Sequence, residues 1–413
     1  MKKNICRKIN IFTYDYPYEG NDSPFIEDEI KKISQIFNYV KIIPLKKGQK
    51  LKNTFKNANN IEFDLSLTEN FFFKKIFVIF FNTLVCKHLW KQLFKIKNPF
   101  FIKKVKMTIK ERILSEFVIQ YIKKNKLNTQ NEIFYSYWAN HTLTAFNILD
   151  IKNSFARSLG SDLNGFLPGD DYVPFINIKY KKLKFILTLN YGQQQKLLKE
   201  KLIKKNKIIK CYQGMPIQTF DPIINKDKSK ITFLSCGSLI HVKNTKQIIE
   251  FLSYFSKKER NIEIFYICIG KGSLEDEIFK LKNNVPANLN ISFIKSVPNL
   301  VNYIKKKDIN YFINFSKSEG MSFAVMEALS MSLPVISSNI PGNKEIINNY
   351  NGFIIANYNN HSFELLTNKI ITNYLSEKKY LLKRRLSSKL IQTKLNRERN
   401  LRKFGKIMLK KFS

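Results

Sequence analysis

The chain has 413 residues, of which 44% are hydrophobic and 25% charged. Both values sit near globular averages and exclude a disordered chain, a collagen and a coiled coil; at ~150 residues per domain the length predicts two or three domains, each with its own core. The formal net charge is +39, from 71 Lys+Arg against 32 Asp+Glu: either a field that attracts nucleic acid, acidic lipid or phosphorylated substrates, or the by-product of a composition rich in Lys, Asn, Ile and Phe, such as AT-rich coding produces.

The basic N-terminus, MKKNICRKINIFTYDYPY, lacks a long apolar run and a small-residue cleavage site, so it reads as a first strand and predicts a cytoplasmic protein. Ile9 to Tyr14 is strand-like. A turn-rich loop, Tyr16 to Pro24, leads to a helix, Phe25 to Phe37, and a strand, Tyr39 to Leu45, which together make a βαβ unit. The most apolar stretch is Phe71 to Trp90. Its longest uncharged run, Ile76 to Cys86, is short of the ~20 residues a spanning helix needs. It reads as a buried helix hairpin or as a helix lying in a bilayer surface, with lysines and aromatics beside it.

Further on, Glu132 to Tyr137 and Lys184 to Asn190 read as strands and Thr142 to Leu149 as a helix. A polar, unpatterned stretch, Phe220 to Lys230, marks a boundary. Strand and helix patterns then alternate: Ile231 to Gly237, Thr245 to Phe255, Asn261 to Gly270, Leu274 to Leu281, ISFIK, Leu300 to Lys306, YFINFS, Phe323 to Met331 and LPVISS. The pattern predicts an α/β fold with two Rossmann-like, doubly wound domains. The first domain spans 1–222, with a membrane-proximal Phe-rich helical region at about 70–105. The second spans 223–385, and residues 386–413 make a helix that packs back on the first.

The five cysteines (Cys6, Cys86, Cys211, Cys236, Cys268) are scattered and odd in number, which predicts thiols in a reducing compartment. The four histidines lie far apart and no CxxC or HExxH spacing occurs, so no metal site is expected.

The segment SKSEGMSFAVMEALSMSLPVIS, Ser316 to Ser337, carries the strongest chemical signal. After a strand, a loop holds Glu319 and Gly320, and a helix starts near Ser322, a natural N-cap. The positive end of that helix suits a diphosphate, and Gly320 lets the backbone approach a ligand closely. Glu319 and Glu327 bracket this point. Two carboxylates there suit sugar hydroxyls, from which they accept strong hydrogen bonds. On spacing alone, a loop carboxylate and a surface helix residue fit equally well.

Glu319 and Glu327, seven residues apart inside SEGMSFAVMEALSMSLPVI, resemble the signature of the retaining glycosyltransferases of family 4. PGNKEIINNYNGFII, CGSLIHVKN and IGKGSLEDEI resemble the same family's loops. In the first half TYDYPYEGNDSPFIEDEI, FYSYWANHT and ARSLGSDLNGFLP resemble a bacterial subgroup that assembles surface polysaccharide. The resemblance implies a GT-B fold and a metal-independent transfer of a sugar from a UDP- or GDP-linked donor to a glycan acceptor, lipid-linked at the inner face of the plasma membrane. No cofactor is bound; the nucleotide sugar is a co-substrate, and the other partners are the glycan and an anionic membrane surface, with no nucleic acid.

Residue by residue, the resemblance implies that Glu319 contacts the transferred sugar, and that the backbone of Gly320, Met321, Ser322 and Phe323 holds sugar and phosphate. Glu327 would take the ribose and Lys243 the diphosphate. Gly237 and Ser238 sit at the diphosphate loop, and Gly270, Gly272, Lys295 and Val297 line the base. Gly20 would face the donor phosphates from the first domain, with Arg157, Gly160 and Asp162 in its cleft. Two positions depart from the family: Ser238 stands where an Arg is usual, and Leu159 where the subgroup carries a His, a role that His141 or Arg157 would then fill. Two further readings are a nucleotide-sugar epimerase of the same fold, and a basic membrane-surface or nucleic-acid-binding protein, including a degenerate transferase.

Overall fold

The computed structural model describes residues 5–19, 23–48, 50–51, 55, 58–69, 76–97, 100–165, 170–218 and 227–413. Gly20, the first residues of the Phe71–Trp90 stretch (71–75) and most of the boundary segment (219–226) lie outside these. The chain divides into two compact units, Met1–Tyr212 with Leu401–Ser413, and Gln213–Asn400.

The first unit is built on a parallel sheet of β1 (Ile5–Thr13), β2 (Phe37–Pro44), β3 (Ile61–Phe63), β4 (Ile133–Ser136), β5 (Ser154–Arg157), β6 (Phe185–Thr188) and β7 (Ile208–Lys210). Their spatial order is β3-β2-β1-β4-β5-β6-β7. Every residue of β4, β5 and β6 is buried, as expected of parallel strands covered on both faces. Alternation sorts the side chains. Phe12, Phe134, Ala156 and Ile186 point to one core with the helices Phe101–Lys124 and His141–Ile148. Ile9, Ile11, Tyr135, Phe155 and Phe185 point to the other. That second core is closed by Ile26, Ile30 and Ile33 of the helix Ser23–Ser34 and by Phe404, Met408 and Phe412 near the C-terminus.

Two features differ from the sequence expectation. The Phe71–Trp90 stretch is not a buried hairpin. Its helices Ile76–Leu84 and Lys87–Leu93 bury Ile79, Thr83 and Leu89, while Phe80, Phe81, Val85 and Trp90 remain 47–64% exposed. Among the described residues, no helix is long and apolar enough to cross a membrane. The other is the helix Phe101–Lys124, 24 residues long, which periodicity does not announce. It buries Lys104, Arg112, Glu116 and Gln120 beside apolar residues, so no polar stripe separates from an apolar one. Those groups are partnered: Arg112 meets Glu116 at 2.7 Å, Gln120 donates to Glu116 at 2.7 Å and Lys104 meets Asp170 at 2.5 Å.

The second unit is a parallel sheet of β8 (Lys230–Cys236), β9 (Glu263–Ile269), β10 (Leu289–Ile294), β11 (Tyr311–Asn314), β12 (Val335–Ser338) and β13 (Gly352–Ile355), ordered β10-β9-β8-β11-β12-β13. The helix Thr245–Lys258 packs Ile248, Phe251, Leu252 and Phe255 on this sheet, and the helix Asn360–Leu375 adds Phe363, Leu366 and Ile370 to the same core. Each unit is therefore a doubly wound, Rossmann-like fold, as the alternating pattern predicts.

Candidate active site

In a doubly wound sheet, ligands bind beyond the carboxyl ends of the strands where the winding reverses. In the second unit that point lies between β8 and β11, since β9 and β10 extend one way and β12 and β13 the other. Of the residues singled out from the sequence, Gly237, Ser238, Lys243, Glu319 and Gly320 lie on the loops that follow these two strands. β8 runs into Gly237, Ser238 and a short 3₁₀ turn, His241–Lys243. β11 runs into the loop that carries Ser316, Glu319 and Gly320, ahead of the helix Phe323–Ser330. The Lys317 amide donates to the Val242 carbonyl at 2.8 Å, which joins the two loops.

Lys243 and Glu319 face each other across this join. Lys243 Nζ lies 2.5 Å from Glu319 Oε1, and the Ser316 hydroxyl donates to the same oxygen at 2.9 Å. Both charged side chains are partly exposed, at 27% and 14%. A hollow of about 20 Å³, room for one water, adjoins Lys243 and is walled also by Cys236, Gly237, Asn314 and Ser316 among others. A larger hollow of about 410 Å³ in this unit borders Phe353 of edge strand β13 and the helices after it; it takes no part in this site.

Glu327 is half-buried one turn into the helix; its backbone carbonyl accepts from the Ser330 hydroxyl at 2.7 Å, while its carboxylate accepts no hydrogen bond among the described residues. Burial pushes its carboxyl up to about 7 against the pull of Arg397. The Cys236 thiol is pushed up to about 12, first by burial and then by the charge of Glu327. Ser322 stands at the N-cap position, yet its hydroxyl makes no capping bond. The capping bond expected of Ser322 is therefore not made.

The glycine turns of β8 and β9 are stapled together. The Gly237 amide donates to Ile269 O at 3.0 Å and the Leu239 amide to Lys271 O at 3.0 Å. A Cβ on Gly270 would stand 2.0 Å from the Gly237 carbonyl oxygen, so only glycine permits this approach. Gly272 and Lys295 are exposed and Val297 is half-buried; Lys295 lies 3.5 Å from Glu275.

Sequence reading missed the support behind the Glu319 loop. A Cβ on Gly342 would stand 2.4 Å from the Glu319 carbonyl oxygen and 2.7 Å from that of Gly320. Asn343 donates to Asn314 Oδ1 and Ser338 Oγ, and Ser338 donates to Ser316 O at 2.5 Å. The PGN of PGNKE, which resembles a loop of the family, is the signal that could have found them.

In the first unit the picked residues separate. Arg157 is 1% exposed and interior rather than cleft-lining: its guanidinium meets Glu29 at 2.6 Å and donates to Cys211 O at 2.9 Å. Burial raises the Glu29 carboxyl, with Arg157 opposing. Asp162 is a backbone tie, accepting from the Ala139, Leu159 and Gly160 amides and the Ser158 hydroxyl. His141 opens a helix, and burial pushes it down to about 4, with Glu111 opposing. Beside it, a hollow of about 230 Å³ is lined by Met107, Glu111, Asn140, Asp162, Tyr172 and Lys179 among others. Cys86, Cys211, Cys236 and Cys268 are free thiols. Among the described residues no group of three or more His, Cys, Asp or Glu could hold a metal.

Residues 216–385 match the family of glycosyl transferases group 1, so the second unit carries a domain of that class. Over 182 residues the chain is 30% identical to the capsular polysaccharide biosynthesis glycosyltransferase CapH of Staphylococcus aureus, covering 44% of this chain and 47% of CapH. Over 188 residues it is 28% identical to the UDP-Gal:alpha-D-GlcNAc-diphosphoundecaprenol alpha-1,3-galactosyltransferase of Escherichia coli, covering 41% and 46%. The chain spans about half the length of the curated relatives it matches. The crystal structure of Anabaena Alr3699/HepE in complex with UDP and glucose superposes with a TM-score of 0.64 at 12% identity, covering 98% of this chain and all of the other. That likeness shows the fold, the two Rossmann-like units of GT-B proteins.

Proposed function

We propose that this protein is a retaining, metal-independent glycosyltransferase that moves a hexose from a nucleoside-diphosphate sugar to a lipid-linked glycan in bacterial surface-polysaccharide assembly. The observation that carries the reading is the Lys243–Glu319 pair at the switch point of the second sheet, with Glu327 one turn beyond. Cation, helix end and two carboxylates are what a diphosphate flanked by ribose and sugar hydroxyls requires.

With the donor seated, Lys243 exchanges its carboxylate for the diphosphate, and Glu319 is released to the sugar hydroxyls. Glu327 takes the ribose hydroxyls. The bond from the anomeric carbon to the phosphate oxygen breaks with its electron pair on the nucleoside diphosphate, stabilised by Lys243 and the start of the helix Phe323–Ser330. The acceptor oxygen bonds to the same face, and its proton passes to the departing phosphate. With Glu319 tied to Ser316 and given over to the sugar hydroxyls, no carboxylate is left as a nucleophile, which favours this front-face course.

The first unit takes the acceptor, with the hollow beside Asn140 and Asp162 as its candidate seat. The Escherichia coli relative's name specifies a UDP-galactose donor and a diphosphoundecaprenol-linked acceptor, and the Anabaena structure holds UDP. Both support a UDP sugar here, and the relative's diphosphoundecaprenol-linked acceptor supports a reaction at a membrane face. The test is thermal-shift screening of UDP and GDP sugars, followed by transfer assays. At least one should raise the melting temperature of the wild type and leave Glu327→Ala unmoved; no shift with any nucleotide sinks the donor-site assignment.

A further inference from the structure

Between Ile76 and Lys110 the sequence holds eight lysines and no acidic residue. Lys104 is buried on Asp170, and the other seven are exposed. The same segment carries an outward apolar face. Phe80, Phe81, Val85, Trp90, Phe94 and Ile102 are between 47% and 86% exposed. The helix Ile76–Leu84 turns Ile79 and Thr83 inward, one turn apart, and fills its outer side with aromatic and aliphatic residues. This inverts the usual amphipathic order.

The face is held rigidly. Asn82 donates to Glu116 at 2.9 Å, and Arg112 donates to the Asn82 carbonyl at 3.3 Å, which ties the first helix to the helix Phe101–Lys124. Trp90 Nε1 donates to the Leu84 carbonyl at 2.6 Å, which joins the two short helices. Gln92 donates to Tyr172 at 3.3 Å and Lys104 to Lys97 O at 3.2 Å, which fix the rest.

We infer that this surface docks on an anionic lipid bilayer, its aromatic ridge entering the acyl boundary while Lys87, Lys91, Lys95, Lys97, Lys103, Lys106 and Lys110 reach the lipid phosphates. A helix of this kind lies in the interface plane, sunk by ~5–10 Å, and lysine stems let the ammonium groups stay at headgroup level. The pairing of an apolar ridge with a single sign of charge selects this occupant. A second copy would set seven lysines against seven of the same charge, and a nucleic acid would leave the ridge in water. The inference names the membrane partner of the proposed reading but does not need its chemistry, so the two fail separately.

The test is flotation of the full chain with vesicles of phosphatidylcholine alone or with added phosphatidylglycerol. The wild type should float with the anionic vesicles and retain part of that binding at ~1 M salt, where the Debye length is about 3 Å. The variant F80S/F81S/F94S should bind about tenfold more weakly or worse, and K91E/K95E should lose the preference for phosphatidylglycerol. All three positions of the aromatic variant are exposed, so its melting temperature and its stabilisation by nucleotide sugars should match the wild type. Brominated lipids should quench Trp90, with W90F giving the background from Trp138. The inference is overturned if the aromatic variant floats as well as the wild type, if Trp90 is not quenched, or if binding vanishes wholly at high salt.

Discussion

Within the candidate site, the chemistry of Glu327 is set by its burial. Its folded-state value of about 7 lies above the ordinary 4.5 because burial penalises the carboxylate. The folded protein then holds more protons than the unfolded one between about pH 4.5 and 7, so this group's contribution to stability is full below pH 4.5 and is lost as pH rises to 7. A shift of this size corresponds to on the order of 3 kcal/mol. Glu327→Gln should flatten that part of the stability profile in urea titrations at several pH values. Ribose hydroxyls bonded to the carboxylate favour its ionised form. Nucleotide affinity should therefore rise from pH 6 to a plateau above ~7 in the wild type, and calorimetry should find no such rise in Glu327→Gln.

Lys243 and Gly342 act on the same loop from opposite sides. Lys243→Ala removes a charged hydrogen bond, worth roughly 1.5–3 kcal/mol, so UDP-sugar affinity should fall by roughly tenfold to a hundredfold. Gly342→Ala places a methyl group 2.4 Å from the Glu319 carbonyl oxygen. Overpacking of this kind costs ~1–3 kcal/mol, and here the loop must shift with it. Denaturant midpoints should fall modestly while transfer activity falls by more; equal activity in the variant would show that the loop does not need this support.

At the scale of elements, the C-terminal ends of the central strands β8 and β11 do the positioning, and buried ion pairs hold the scaffold. Arg157 and Glu29 are both interior. Removing one partner of such a pair leaves an uncompensated charge, at ~3–5 kcal/mol. Arg157→Met should lower the denaturation midpoint strongly, and the double variant with Glu29→Met should recover much of it. A cleft-lining arginine would instead change acceptor kinetics without changing the midpoint. The βα repeats of the second unit are legible in sequence because each strand is a short apolar run and each helix shows a single apolar stripe, as in Thr245–Lys258. The helix Phe101–Lys124 is illegible because Arg112, Glu116 and Gln120 satisfy one another inside. The short strands β3 and β7, of three residues each, fall below any periodicity.

For the whole molecule, the net charge of +39 predicts indiscriminate attraction to polyanions. Binding to a random DNA duplex should weaken steeply with salt, as counterion release demands. Stabilisation by a UDP sugar, which rests on a few local contacts, should weaken far less. Parallel salt titrations separate the two, and a steep common slope would point to charge alone.

The sequence by itself determined the doubly wound class of both units and the order of carboxylate, glycine and helix in the Ser316–Ser337 segment. Apolar periodicity and a carboxylate–glycine–helix order are local patterns, and local patterns survive in one dimension. Tertiary structure alone decided that Lys243 pairs with Glu319, that Gly342 backs their loop, that Arg157 is interior and that the aromatic ridge faces outward. Those facts depend on which strands become neighbours and which face of a helix finds a partner, and no spacing along the chain encodes that.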